Sequence, residues 1–394
     1  MKKKNPWKIK TYIYVGFALF SMLFGAGNII FPLYLGANIE NHVSIAILGF
    51  LITGVGAPFL GLFATSLFKG NYWIFFSRLG KVPAFIIITF LIIIIGPLIA
   101  IPRTEIIVWS NLMPYLPKFL NNHYIFSFIY CFLLFILNIK DAKIIDILGL
   151  LFSPIKIITF FSLIIIGILY SEQNETHKIN QILNKDIIEV FNKSMIIGYS
   201  TMDMLATFFF TTIAFKAIKN NNNNDNSYNI NTTIKSSIIG AVLIGITYAG
   251  FIYLSYKYKK ELYNIPIENT LASISQILLG SFGELFVCLC LSFSCFATAL
   301  ALIQVSKTYL YKELFKKKIS KFICLNIIIS ITFIMSHVKF QTLMILILPV
   351  LEIFYPVLIV ICIMNILYKL KNIKTIKTPV LITFITSITI SYIY

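Results

Sequence analysis

Apolar runs follow one another along the whole chain, separated by short segments that hold most of its polar residues. Each run is about 17–25 residues long, enough for an α-helix to cross roughly 30 Å of hydrocarbon. The pattern predicts about eleven membrane spans, near residues 11–37, 45–67, 83–109, 124–139, 144–170, 190–215, 233–256, 281–306, 320–335, 340–368 and 378–394. Two of them carry interruptions at mid-depth. The first contains Phe24-Gly25-Ala26-Gly27-Asn28-Ile29-Ile30-Phe31-Pro32, where two glycines flank one residue and Asn follows. The sixth contains Ile197-Gly198-Tyr199-Ser200-Thr201-Met202-Asp203-Met204, with an ionisable Asp among small polar residues. A helix broken in a bilayer exposes free carbonyls and amides, and such backbone survives at that depth only where it lines a cavity.

The two interruptions lie five spans apart, at corresponding places in two five-helix halves, which is the pattern of an inverted repeat. Residues 1–10 are then a cytoplasmic N-terminus, 11–170 the first repeat, 171–189 an external loop, 190–368 the second repeat and 369–394 an extra helix. No cleavable signal is expected, because the first span itself carries a motif. The loop Asn220 to Asn231 is nearly all Asn and is given no function.

Composition agrees with this all-α polytopic membrane protein. Hydrophobic residues are 58% of 394 and charged residues 12%, too apolar for a soluble domain. The net charge of +18 would suit nucleic acid if it formed a patch. Instead the lysines concentrate in alternate loops, including the N-terminal Lys2, Lys3, Lys4, Lys8 and Lys10 and the group Lys307, Lys312, Lys316, Lys317, Lys318 and Lys321. That asymmetry sets the N-terminus in the cytoplasm and points to anionic lipid as the partner of these lysines. All six cysteines fall inside spans, so no disulfide framework is expected, and the four histidines have no metal-ligand spacing. Gly25-Ala26-Gly27 lacks the βαβ context of a dinucleotide loop. With no catalytic cluster and no nucleotide motif, an enzyme is not expected and neither is a cofactor.

The broken spans define a candidate site for a zwitterion. The second half of span one, beginning near Gly27, presents amides to a carboxylate, and the first half ends near Phe24 with carbonyls free for Na⁺ or an ammonium. Span six repeats this with carbonyls near Gly198 and Tyr199 and a new N-terminus near Asp203. The substrate candidates are therefore Gly25, Ala26, Gly27, Asn28, Gly198, Tyr199, Ser200, Thr201 and Asp203. The glycines also suit close helix packing, Asp203 could cap the second half-helix together with Ser200 and Thr201, and Asn28 is either a cap or a cation ligand. Arg103 near the outer end of span three and Glu352 in span ten suggest a gate formed by Arg103 with Glu352 or with Asp203, or an ion pair that is structural.

These residues also carry a resemblance. The span-one motif, Gly96-Pro97-Leu98-Ile99-Ala100-Ile101-Pro102-Arg103-Thr104, Gly198-Tyr199-Ser200-Thr201-Met202-Asp203, and Leu348-Pro349-Val350-Leu351 with Tyr355-Pro356 resemble the bacterial branched-chain amino acid:cation symporters. The resemblance implies a LeuT-type fold and uptake of leucine, isoleucine and valine through the bacterial cytoplasmic membrane. Relatives of the fold bind sodium between spans one and eight. By that analogy the carbonyls of Ser21 and Phe24 would face Ser294 and the hydroxyl of Thr298, with Na⁺ as the favoured coupling ion and no other metal. Lys156 in span five is the proton alternative, since some proton-coupled relatives hold a lysine at the sodium position and a desolvated lysine gives up its proton easily. It could otherwise snorkel to the cytoplasmic surface. The chain departs from the pattern in having about eleven spans instead of twelve and in carrying Glu105 and Glu352. The alternative functions are a LeuT-type transporter of another small neutral solute, a membrane enzyme or a channel.

Overall fold

The computed structural model describes residues 11–139, 152–170, 186–221 and 226–393. The lysine-rich N-terminus, most of the loop 171–189, the first part of the fifth span and the centre of the Asn tract lie outside the described residues. All regular structure among the described residues is helical.

The first interruption is a break in the chain's first span. Helix α1 (Thr11–Leu23) and α2 (Ala26–Ala37) meet at an angle of 69°. Gly25 is extended there (φ −117°, ψ −154°), and its N–H donates to the Asn28 Oδ1 at 3.1 Å. That bond satisfies a donor the new helix would otherwise orphan in an apolar setting. The apolar segment Val43–Ser66 forms α3, with a π-turn at Ile52–Gly56. A short α4 (Tyr72–Ser77) leads into the third span, in which α5 (Lys81–Ile93) and α6 (Ala100–Leu112) are separated by a π-turn at Ile94–Leu98. Gly96 leaves helical geometry in that turn and Pro97 supplies no N–H, so the third span is kinked where its motif begins.

Helices α7 (His123–Ile139) and α8 (Ser153–Leu169) complete the first half. The second half opens on the other break, where α9 (Ile187–Tyr199) and α10 (Asp203–Asn221) are bent by 45°. Met202 stands at φ +65° between them, a left-handed conformation that costs a non-glycine residue about 1–2 kcal/mol and stops α9. Then come α11 (Asn226–Lys257), α12 (Thr270–Tyr309, turned at Gly280 where φ is +69°), α13 (Lys321–Met335), α14 (Phe340–Lys371) and α15 (Lys377–Ile393). Among the described residues five helices are long and apolar enough to cross a membrane alone, the two bent pairs pass the same test together, and four shorter apolar helices accompany them. Each overlaps a segment read as a span from the sequence.

The broken helices sit in the middle of the bundle. Both halves of the first span pack on α11, and α9 and α10 both pack on α3. Phe20, Phe24, Phe160, Tyr248 and Phe251 form a ring cluster around the first break, with centroids 5.0 to 6.4 Å apart and every ring buried. Apolar packing on all sides of a gap in the backbone leaves its polar groups only protein partners.

Candidate functional site

The two breaks are joined by side chains. Asn28 donates its amide to the Asp203 Oδ2 and is also bonded to the Tyr248 hydroxyl, while Tyr248 donates to the same Asp203 oxygen at 2.9 Å. Spans one, six and seven thus meet at one carboxylate. Asn28 serves both as cap, through its Oδ1, and as partner of Asp203. The Asp203 carboxylate does not cap α10; its own N–H lies 3.5 Å from the Thr201 hydroxyl. Tyr248 belongs to no motif, and only folding brings it here. The sequence holds no signal for it, since it is one of three tyrosines in the span read over 233–256.

Arg103 differs most from expectation. The kink at Gly96–Pro97 carries it to the level of the breaks, where it is 4% exposed. Its Nη1 donates to the Ser200 carbonyl at 2.9 Å and its Nη2 to the Thr201 carbonyl at 3.3 Å. Neither expected gate pair forms. Glu352 is part-exposed on α14, and no ion pair links Arg103 to it or to Asp203. The carbonyls freed by the turn after α9 lie within hydrogen-bond reach of the guanidinium, whereas neither carboxylate does. Glu105 has a separate role, accepting from the Ser127 hydroxyl at 2.7 Å and lying 3.3 Å from His123 Nε2, which ties α6 to α7.

The glycines make room. A Cβ at Gly27 would stand 2.5 Å from the Arg103 Nη2, and one at Gly25 would stand 2.7 Å from the Thr298 Oγ1. Gly25, Ala26, Asn28, Arg103, Thr201, Asp203 and Thr298 line a cavity of about 30 Å³, which holds a water or two but not an amino acid. Above it a vestibule of about 1070 Å³ opens between α2, α9, the segment 259–267 and α14, and Ser200 lies on its floor. Gly198 and Tyr199 are placed otherwise than expected. A Cβ on Gly198 would run into Thr53 of α3, and Tyr199 stacks on Tyr355 at 4.4 Å, so both serve packing beside the cavity.

Beneath the first break is a second polar centre. The Lys156 Nζ, fully buried, donates to the carbonyls of Ser21 at 2.9 Å, Phe24 at 3.0 Å and Ser294 at 3.4 Å. The Ser294 hydroxyl also donates to the Phe24 carbonyl, at 2.8 Å. Four of the five residues assigned to the coupling ion therefore converge, with the ammonium at their centre and no snorkelling to a surface. Thr298 stands apart, one turn further along α12, and its buried hydroxyl has no partner.

The comparisons with known proteins decide the family. The sequence profile described as "Branched-chain amino acid transport protein" matches residues 8–393. The chain belongs to that family. It is 32% identical to a putative branched-chain amino acid carrier protein of Staphylococcus aureus (strain USA300), covering 98% of this chain and 87% of that one. A carrier of the same description from strain MRSA252 is 31% identical over the same shares. Among solved structures, MhsT in complex with L-phenylalanine superposes with a TM-score of 0.66 at 13% identity, covering 99% of each chain. Mhp1, a nucleobase-cation-symport-1 family transporter, gives 0.62 at 14% identity, covering 91% of this chain and 78% of that one. The fold is of the LeuT type, the carrier family is one of transporters, and the protein is not an enzyme.

Proposed function

We propose that this carrier imports leucine, isoleucine and valine across the bacterial cytoplasmic membrane by alternating access, coupled to protons. The observation that carries the substrate class is the pair of buried opposite charges, Arg103 and Asp203, held at two helix breaks beside one cavity. Membership in the family supplies the branched-chain side chain, and Met22, Leu23, Ile95, Phe210 and Leu302 give the cavity an apolar wall to receive it once alternating access widens the space. The lysine-rich loops orient the N-terminus inward, so the vestibule faces outward.

Coupling is read from Lys156. An ammonium has three donors, and Lys156 points them at three carbonyls that a sodium ion would otherwise require. A neutral amine has two donors and one lone pair, which would face a carbonyl oxygen. Protonated Lys156 therefore ties α1 to α8 and α12, and loss of its proton to the cytoplasm loosens α1 on the inner side. The substrate touches the same hinge, because Phe24 and Gly25 are neighbours. Movement of α1 links the proton to the amino acid.

The test is uptake of radiolabelled leucine into proteoliposomes under separately imposed gradients. We expect an inward proton gradient to drive accumulation and replacement of sodium by choline to leave it unchanged. Accumulation that requires sodium and ignores pH would reject proton coupling, and failure to accumulate any branched-chain amino acid would reject the substrate class.

A further inference from the structure

The proposed amino-acid site contains two charges, and neither is bonded to an opposite one. Among the described residues neither Arg103 nor Asp203 has an oppositely charged side chain within 4 Å. Asp203 receives its bonds from the neutral groups of Asn28 and Tyr248. Arg103 gives its bonds to two backbone carbonyls. Buried charges in a membrane protein are expensive unless a counter-charge is supplied.

The guanidinium has two bidentate edges. The edge formed by Nη1 and Nη2 is occupied by Ser200 and Thr201. The other is formed by Nε and the second hydrogen of Nη2. Nε is buried without a partner, and Nη2 is the atom that a Cβ on Gly27 would meet. This free edge therefore lies beside the first turn of α2, whose amides have no intrahelical partner. Across Gly25 stands the Thr298 hydroxyl, also buried and unpartnered and also lining the cavity. A planar fork, orphan amides and a lone hydroxyl around one small space match a carboxylate in geometry and charge.

We propose that Arg103 is the anchor for the substrate's α-carboxylate, with Thr298 as a second donor and Asp203 as the partner of the α-ammonium. This deepens the proposed function and rests on its amino-acid reading. It assigns the span-three motif a direct part in recognition, and it restricts the substrate to free α-amino acids. Amides, esters and decarboxylated amines of the same side chain leave the fork unpaired and are rejected, since a site built around buried polar groups discriminates strongly against a ligand lacking their partner.

The experiment is equilibrium binding to the purified full chain, using leucine, leucinamide and 3-methylbutylamine against the unmodified protein, Arg103→Lys and Arg103→Gln. The unmodified protein should prefer leucine to leucinamide by about 100-fold or more. In both variants that ratio should fall about tenfold or further. A purely structural Arg103 would weaken leucine and leucinamide alike and leave the ratio unchanged, which would overturn the proposal. So would equal affinity for the two ligands in the unmodified protein. Should Arg103→Gln fail to fold, Arg103→Lys, which keeps the charge but not the fork, decides. If the unmodified protein binds none of leucine, isoleucine and valine, the remaining amino acids are tested with their amides. An Arg103-dependent preference for any free acid then upholds the anchor while rejecting the branched-chain substrate. No binding of any amino acid overturns both.

Discussion

Single side chains at this site are held by partners that no neighbouring residue in sequence supplies, and their loss should be measurable one at a time. Tyr248 is one of the two neutral donors to Asp203, and removing it leaves a buried carboxylate short of a hydrogen bond. Tyr248→Phe should weaken leucine binding about tenfold and lower the melting temperature of the purified protein. Unchanged affinity would mean that Asp203 is supported by other groups. Gly25→Ala should cost more, because the new Cβ would stand within 2.9 Å of three Thr298 atoms, one of them the Thr298 Cβ, which no change of rotamer can move. We expect loss of detectable leucine binding and partial recovery in Gly25→Ala combined with Thr298→Gly, which returns the space without the hydroxyl. Equal binding by Gly25→Ala and the unmodified chain would place the site elsewhere.

Between elements, close backbone approach fixes how the broken spans lie against their neighbours. A Cβ on Gly36 would run into the Ile252 carbonyl of α11, and one on Gly49 would come within 2.7 Å of the Phe191 carbonyl of α9. Backbone cannot rotate aside as a side chain can, so Gly36→Ala and Gly49→Ala must push helices apart. Both should lower the melting temperature in detergent. Gly245→Ala is the control, since its Cβ would meet nothing closer than 3.9 Å and alanine favours the helix by about 1 kcal/mol. The end of α14 is fastened differently. Arg78 donates to the Met364 and Lys374 carbonyls and the Asn365 side chain, and its guanidinium lies 3.8 Å over the Tyr368 ring. Arg78→Lys should destabilise this junction nearly as much as Arg78→Ala, because a single ammonium cannot match a planar fork.

For the molecule as a whole, orientation can be tested by thiol accessibility. All six native cysteines are buried, so introduced ones report against a quiet background. Lys260→Cys, at an exposed site near the vestibule, should react with an impermeant maleimide added to intact cells. Lys318→Cys, exposed at the opposite end, should react only after permeabilisation. The reverse pattern would invert the topology, and with it the direction in which the vestibule opens. Proton coupling belongs to this scale too. In Lys156→Met the three carbonyls lose the ammonium that joins them, and leucine uptake should no longer respond to an imposed proton gradient. Uptake that still follows the gradient would put the carried proton on another group.

The sequence by itself determined the membrane class, the helical architecture and both breaks, because these follow from local rules. Apolar run length is set by bilayer thickness, and glycine, asparagine and a misplaced aspartate interrupt a helix without help from tertiary contacts. The motif residues Gly25 to Asn28 and Ser200 to Asp203 stand at the breaks, as their composition implied. It could not determine who partners whom. Arg103 was matched to Glu352 or Asp203 on charge alone, whereas the fold presents it with the carbonyls of Ser200 and Thr201, which exist as acceptors only once α9 has ended. Lys156 was open between surface, proton carrier and a place left to sodium until α1, α8 and α12 met around it. Tyr248 carried no signal at all. Helix ends and span lengths are properties of consecutive residues, while a buried polar group takes its partners from chain segments far apart in sequence. Only the packed bundle chooses among them.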